Sequence, residues 1–163
     1  MSNFQEHINT LITRLSATPT RIAHRTTGWN REQLQTSPAH TAWAAQDILA
    51  HLRAADDIVT PRIYMVLTRE NPSLSAYDER RWAEIARYAR QDFAISLDLF
   101  TLRRAEVVMV LQNLDSEAWE RIGIHEVLGS VSLLEIVQGL VEHEEEHCTQ
   151  LEAISWPLSS QLL

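Results

Sequence analysis

Apolar residues recur along this chain at intervals of three and four, the spacing that places them on one side of an α-helix. Phe4, Ile8, Leu11, Ile12 and Leu15 form the first such stripe, and Ser2 stands where it can cap the helix. Pro19 is positioned to open a second, short helical piece, and Gly28 to stop it. Residues 29–42, with Gln33, Gln35, Thr36, Ser37, Pro38 and Thr41, read as a loop. From Trp43 to Thr68 the periodicity returns, with Ala44, Ile48, His51, Ala55, Ile58, Met65 and Val66 on a shared face. Pro61 falls inside this run. It lacks an N–H and its ring collides with the preceding turn, so a kink or break is expected there.

Asn71-Pro72-Ser73 ends that segment, and residues 74–86 read as a linker with a short helix. A long helix is expected over residues 86–114, with Phe93, Leu97, Phe100, Val107, Val108 and Leu111 on one side. Asp115, Ser116 and Glu117 can cap a short turn carrying Trp119, and residues 121–131 read as a loop containing Gly123, His125 and Gly129. Ser132-Leu133-Leu134-Glu135 has the capping-box form and opens a last helix that Trp156-Pro157 closes. Four long amphipathic helices predict an all-α four-helix bundle with short extra helices in its connections. The long connections leave the order of the helices open.

Composition narrows the classes. At 163 residues and 45% hydrophobic, the chain suits one domain, spanning 1–163, with a sizeable core. A net charge of −8 argues against nucleic acid and anionic membrane surfaces as partners. No stretch approaches the ~20 apolar residues of a membrane span. The opening residues, Met1 to His7, carry neither a basic start nor an apolar run, and Cys148 is the sole cysteine. Both features fit a reducing cytoplasm.

The last helix carries the most informative pair. His143 and His147 are four residues apart, so their rings lie one above the other. At about 100° per residue, their sector also holds Leu133, Ile136, Leu140, Leu151 and Ile154. The imidazoles thus interrupt an apolar stripe. His51 does the same in its own helix. Three uncoupled buried imidazoles would each need a hydrogen-bond partner, whereas one divalent metal ion satisfies all three. Three neutral nitrogen ligands also leave a coordination position open, as catalytic sites do. His51, His143 and His147 are therefore the candidate metal ligands, and Glu144, at the edge of the same sector, is the candidate catalytic base.

The remaining candidates carry less. His125 is a secondary candidate for the pocket mouth and reads first as a surface loop residue. His7, His24 and His40 read as surface positions. Asp47, one turn before His51, is either a partner for that ring or a hydrated acid at the helix start, and the second is preferred. Glu142, Glu145 and Glu146 read as solvated; of Arg103 and Arg104 one could reach the core with its head group, though most such arginines stay solvated; Trp43 and Trp119 read as packing at the bundle ends, and Cys148 as an inert packed thiol.

His143-Glu144-Glu145-Glu146-His147 satisfies the H-E-x-x-H pattern of zinc proteases. Only 16 residues follow, none of them histidine: position 150 is Gln and position 153 is Ala. The pattern also lacks the strand-rich part that binds peptide, so a protease is disfavoured.

The chain resembles the DinB-like (DinB/YfiT-like) superfamily of metal-binding four-helix bundles. The resemblance runs through Trp43 to Leu52, Asn71-Pro72 with Tyr77-Asp78-Glu79, Phe100 with Arg104, Trp119 to Gly129, and His143 with His147, Gln150 and Leu151. It implies that His51, His143 and His147 form a triad for zinc, nickel or another divalent ion. It further implies thiol-dependent S-transfer or metal-dependent hydrolysis of a small molecule, the thiol being of low molecular weight. Two functional readings follow. One is a metal-dependent transferase or hydrolase of unknown substrate; the other is a non-catalytic, metal-stabilised bundle, in either case compatible with a homodimer. A helical interaction module without metal is a third and weaker reading.

Overall fold

A computed structural model describes residues 2–40 and 42–156. Its helices are α1 (Ser2–Thr26), α2 (Arg31–Gln35), α3 (Ala45–Thr68), α4 (Glu79–Ala86), α5 (Phe93–Gln112), α6 (Ser116–Glu120) and α7 (Leu133–Ala153). Three short strands join them: β1 (Ser73–Leu74), β2 (Ile122–His125) and β3 (Gly129–Ser132).

The expected all-α four-helix bundle is present, made of α1, α3, α5 and α7. Helix α1 packs on α5 and α7, and α3 packs on the same two helices. The first two long helices are therefore diagonal to each other, and the order left open by the sequence is not a simple meander. Ser132 caps α7 as expected: its side chain accepts from the Glu135 N–H, while the Glu135 carboxylate accepts from the Ser132 N–H. The Ser2 side chain, and with it the expected cap, is not described, and the Pro157 stop lies outside the described residues.

Several expectations need correction. Helix α1 continues through Pro19 rather than giving way to a second piece, and α3 continues through Pro61 without a break. Each proline removes one backbone bond, and the helix survives because residues on both sides are held in the core, among them Leu15 with Ile22 and Ile58 with Ile63. Gly28 does end α1, at φ +78°. The expected loop over 29–42 contains α2, opened by a capping box between Asn30 and Gln33. The long third helix begins only at Phe93, where Asp92 caps it; before it lie α4 and a 3₁₀ turn, Tyr88–Arg90.

The expected loop over 121–131 is a hairpin, with Ile122 opposite Ser132 and His125 opposite Gly129. Strand β1 adds to β2 in parallel, giving the sheet order β1-β2-β3. Gly123 makes this packing possible. A Cβ there would stand 2.7 Å from Leu74 Cδ1 and 3.1 Å from Val66 Cγ2.

The core has two apolar parts. One gathers Leu15, Val66, Leu111, Trp119, Leu133 and Val137; the other gathers Ile22, Leu49, Leu52, Phe100, Cys148 and Leu151. Thr18, Asp56, Arg104 and Glu144, one from each long helix, are also buried. Arg104 donates to Asp56 at 2.9 Å and to Glu144. Burial pushes the Glu144 carboxyl up to about 7, opposed by Arg104 and by a hydrogen bond with Thr18. Helix α5 is apolar on two sides. Its inner side enters the bundle, while Ile95, Leu99, Leu102 and Met109 remain exposed. Among the described residues no helix is long and apolar enough to cross a membrane.

Candidate metal centre

His51 projects from the middle of α3, His143 and His147 from successive turns of α7, and these two helices pack side by side. The three rings meet, each offering a nitrogen, with all three nitrogens within 4.8 Å of one another. His51 Nε2 and His143 Nε2 are 2.8 Å apart. His51 and His147 are buried, and His143 is half-buried.

Neighbouring residues hold the His147 ring as a ligand would need to be held. Gln150 Nε2 donates to Glu146 Oε1 at 3.2 Å, which turns the amide oxygen towards His147. That oxygen stands 3.0 Å from His147 Nδ1. It accepts a hydrogen bond, so the proton is assigned to Nδ1 and the lone pair to Nε2. Trp43 stacks on the His147 ring, with centroids 5.5 Å apart and planes 4° from parallel. Arg80 lies over the same tryptophan.

Burial lowers the pKa of all three imidazoles. His51 falls to about 4, through desolvation first and then repulsion from His147, His143 and Arg80. His143 and His147 are lowered chiefly by desolvation too. Neutral rings keep their lone pairs. Two neutral nitrogens at 2.8 Å need a proton or a cation between them, and a divalent ion answers this while adding the third ring. Ligands about 2.1 Å from a tetrahedral zinc stand roughly 3.4 Å apart, so the closest pair opens by only a fraction of an ångström to receive one. The donor set fits: this is a histidine site capable of holding a divalent metal ion.

One further group reaches it. Glu79 Oε2 lies 3.6 Å from His51 Nε2 and 3.8 Å from His143 Nε2. Asp78, accepting from the Arg81 N–H, caps α4 and so sets Glu79 at its first turn, facing the rings. Burial raises the Glu79 carboxyl above its ordinary range, against the pull of Arg62 and His147. The rings and Glu79 line an open cavity of about 780 Å³ together with Trp43, Tyr77 and Arg80.

The sequence reading named Glu79 only as part of a linker. Its sole local signal was an acid following a capping aspartate. Glu144, named as the candidate base, is spent elsewhere: it lies about 100° around α7 from His143, on the side where Arg104 neutralises it. It is absent from the cavity lining. Of the two arginines, it is Arg104 that is buried. Glu145, read as solvated, pairs with Arg14 and Arg21, and Glu146 lines the cavity. Asp47 is exposed, and its carboxylate accepts from the Ala44 N–H at the start of α3. Trp43 walls the site, while Trp119 packs in the core. Cys148 is buried, and desolvation pushes its thiol up to about 11, as an inert packed thiol requires.

A profile of the DinB superfamily matches residues 14–151. The chain belongs to this superfamily. Among the proteins similar to the chain is OB0782 of Oceanobacillus iheyensis, provisionally named a metal-dependent hydrolase. It is 26% identical over 147 residues, covering 90% of this chain and 85% of that protein. YfiT of Bacillus subtilis, named in the same way, is 24% identical over 142 residues, covering 86% and 80% of the two chains. The solved structure of YfiT, described as a probable metal-dependent hydrolase with an unusual four-helix bundle topology, superposes with a TM-score of 0.80. That match spans 88% of this chain and 83% of the other at 21% identity, and it shows the shared fold. A histidine cluster suited to a metal, set in this DinB-type fold, is consistent with a metal-dependent enzyme.

Proposed function

We propose that this DinB-superfamily protein is a metal-dependent hydrolase acting on a small molecule, with His51, His143 and His147 as ligands and Glu79 as general base. The supporting observation is the Glu79 carboxylate beside the ring nitrogens, inside an open cavity. Zinc or nickel suits three imidazole donors. Such an ion lowers the pKa of a water or thiol in its open position and polarises a carbonyl. Glu79, made more basic by burial, accepts the nucleophile's proton at Oε2 and returns it to the leaving group. Gln150 and Trp43 keep the His147 ring in place throughout. The relatives' provisional names support hydrolysis.

Thiol transfer is the second reading. If a thiol attacks, it comes from outside as a low-molecular-weight thiol, because Cys148 is buried with a raised pKa. We further read the chain as cytoplasmic and homodimeric. Ile95, Leu99, Leu102 and Met109 follow intervals of four, three and seven residues, at which one helix packs along another. An isologous pairing of two α5 helices covers this strip on both copies.

The test is turnover by zinc- and nickel-loaded protein on ester, amide and lactone panels, beside an arm with several small thiols and a generic electrophile. Metal-dependent hydrolysis that disappears in His147→Ala supports the proposal. Metal-dependent consumption of thiol alone replaces it with the transferase. Tight metal binding with no turnover in either arm supports the non-catalytic bundle.

A further inference from the structure

A second cavity, of about 500 Å³, opens on the other side of Glu79 and His143, which line both spaces. Its walls include Leu74, Val131, Ile136 and Leu140. Among the described residues of its wall, Arg62, His125 and Ser130 carry side-chain donors, Arg62 with Glu79 as its charged neighbour. Arg62, from α3, donates through Nη2 to the Ser75 carbonyl and lies over the Tyr77 ring, but its Nε is buried with no hydrogen-bond partner. Burial lowers its pKa, with Glu79 and Tyr77 opposing. His125 accepts at Nδ1 from the N–H groups of Val127 and Leu128, both at 3.2 Å. This assigns its proton to Nε2 and makes the ring a second donor. The other acid on the wall, Glu135, is committed to the α7 cap.

Gly139 is the third observation. It lies inside α7, where a glycine costs about 1 kcal/mol relative to alanine. Close packing does not require it, since a Cβ there would meet nothing within 4 Å. What the missing side chain does is leave the second cavity open, one turn before His143.

We propose that this cavity binds the carboxylate end of a small apolar molecule, with Arg62 as its anchor and specificity-determining residue. Guanidinium forks take carboxylates with directed, charge-assisted hydrogen bonds. The apolar walls take the body of the molecule, and the shared Glu79–His143 boundary brings its far end to the metal centre. The inference rests on the proposed function only in treating the bound molecule as substrate.

The experiment compares 4-phenylbutanoate with 4-phenylbutanol by titration calorimetry, on metal-loaded and on chelator-treated protein. The acid is expected to bind about tenfold tighter than the alcohol, the worth of a charge-assisted hydrogen bond. Arg62→Gln abolishes this preference, Arg62→Lys keeps part of it, and chelation leaves it in place. Gly139→Leu fills the space and weakens both ligands without loss of helicity, a check that does not depend on how Arg62 variants fold. Equal binding of acid and alcohol by the native protein overturns the proposal. So does a preference that survives Arg62→Gln and vanishes on chelation, since the metal would then hold the carboxylate. An Arg62-dependent preference in protein with no metal-dependent turnover sinks the hydrolase reading and leaves this one standing.

Discussion

The carboxylate of Glu79 and the Nε2 of His51 lie 3.6 Å apart, although the two residues come from different helices and different sides of the cavity. The same oxygen is 3.8 Å from His143 Nε2. A base in this position separates catalysis from metal capture. Glu79→Gln keeps the shape and removes the basicity. Turnover of the metal-loaded protein is expected to fall by about 10²–10⁴-fold, with metal affinity changed by less than about tenfold. Parallel measurement of kcat and of metal Kd by chelator competition checks it. An equal collapse of both makes Glu79 a fourth ligand, which closes the site and favours the non-catalytic bundle.

Gln150 would act on a bound metal only through His147. Removing its amide in Gln150→Ala frees Nδ1 to lose its proton and the ring to turn. Metal affinity is expected to drop by about 10–100-fold, as for other partners of ligand histidines. Stability should barely change, because the residue is exposed. Chelator competition and a thermal melt of the chelated protein distinguish this from a general loosening of α7.

These two residues mark the boundary of what the sequence tells. The four long helices and the face shared by His143 and His147 follow from periodicity alone. The convergence with His51 required buried polarity to be read as a clue, because only packing brings α3 against α7. Glu79 was out of reach: it enters the site through the path of a connection, and its helix α4 is too short for a periodic signal. Arg104 and Glu144 were misjudged for a related reason. A charge facing a core is read as solvated or functional until its partners from three other helices are known. The hairpin of β2 and β3 escaped because its strands are four residues each, and neither proline ends its helix because packing outweighs one lost backbone bond.

The Arg104 layer predicts a change of stability with pH. A carboxylate whose folded pKa is raised binds more protons in the native state, so its contribution is complete below the unfolded value and is lost as pH rises through the folded one. For Glu144 that window runs from the ordinary 4.5 to about 7, and Asp56 is raised in the same direction by burial. Arg104 holds both down. In Arg104→Met the window widens upward: both carboxyls hold their protons to higher pH, and ionising them above that leaves buried charges without a partner. Destabilisation of about 3–5 kcal/mol near pH 8 is expected, with partial recovery near pH 5. Urea midpoints across this range check the sign; equal losses at both ends would mean that lost packing is responsible.

Leu102 is 66% exposed at the centre of the α5 strip. Leu102→Glu places a charge against its own copy in an isologous pair. The native protein is expected to show dimer mass by light scattering, the variant monomer mass, and both the same metal content. Monomer mass for the native protein would end the dimer reading.

Metal removal supplies the last prediction. Three imidazoles held together in the folded chain would bind an ion that the unfolded chain does not organise, so the ion would stabilise by mass action. At free metal one hundred times Kd the gain is about 2.7 kcal/mol. For a chain of this size each kcal/mol moves the melting temperature by roughly 2–4 °C, so a rise of about 5–10 °C over chelated protein is expected. His147→Ala should abolish the rise while melting near the chelated native protein, because the site without metal contributes little to the core. A metal-dependent rise that persists in His51→Ala, His143→Ala and His147→Ala alike would mean that the ion binds elsewhere.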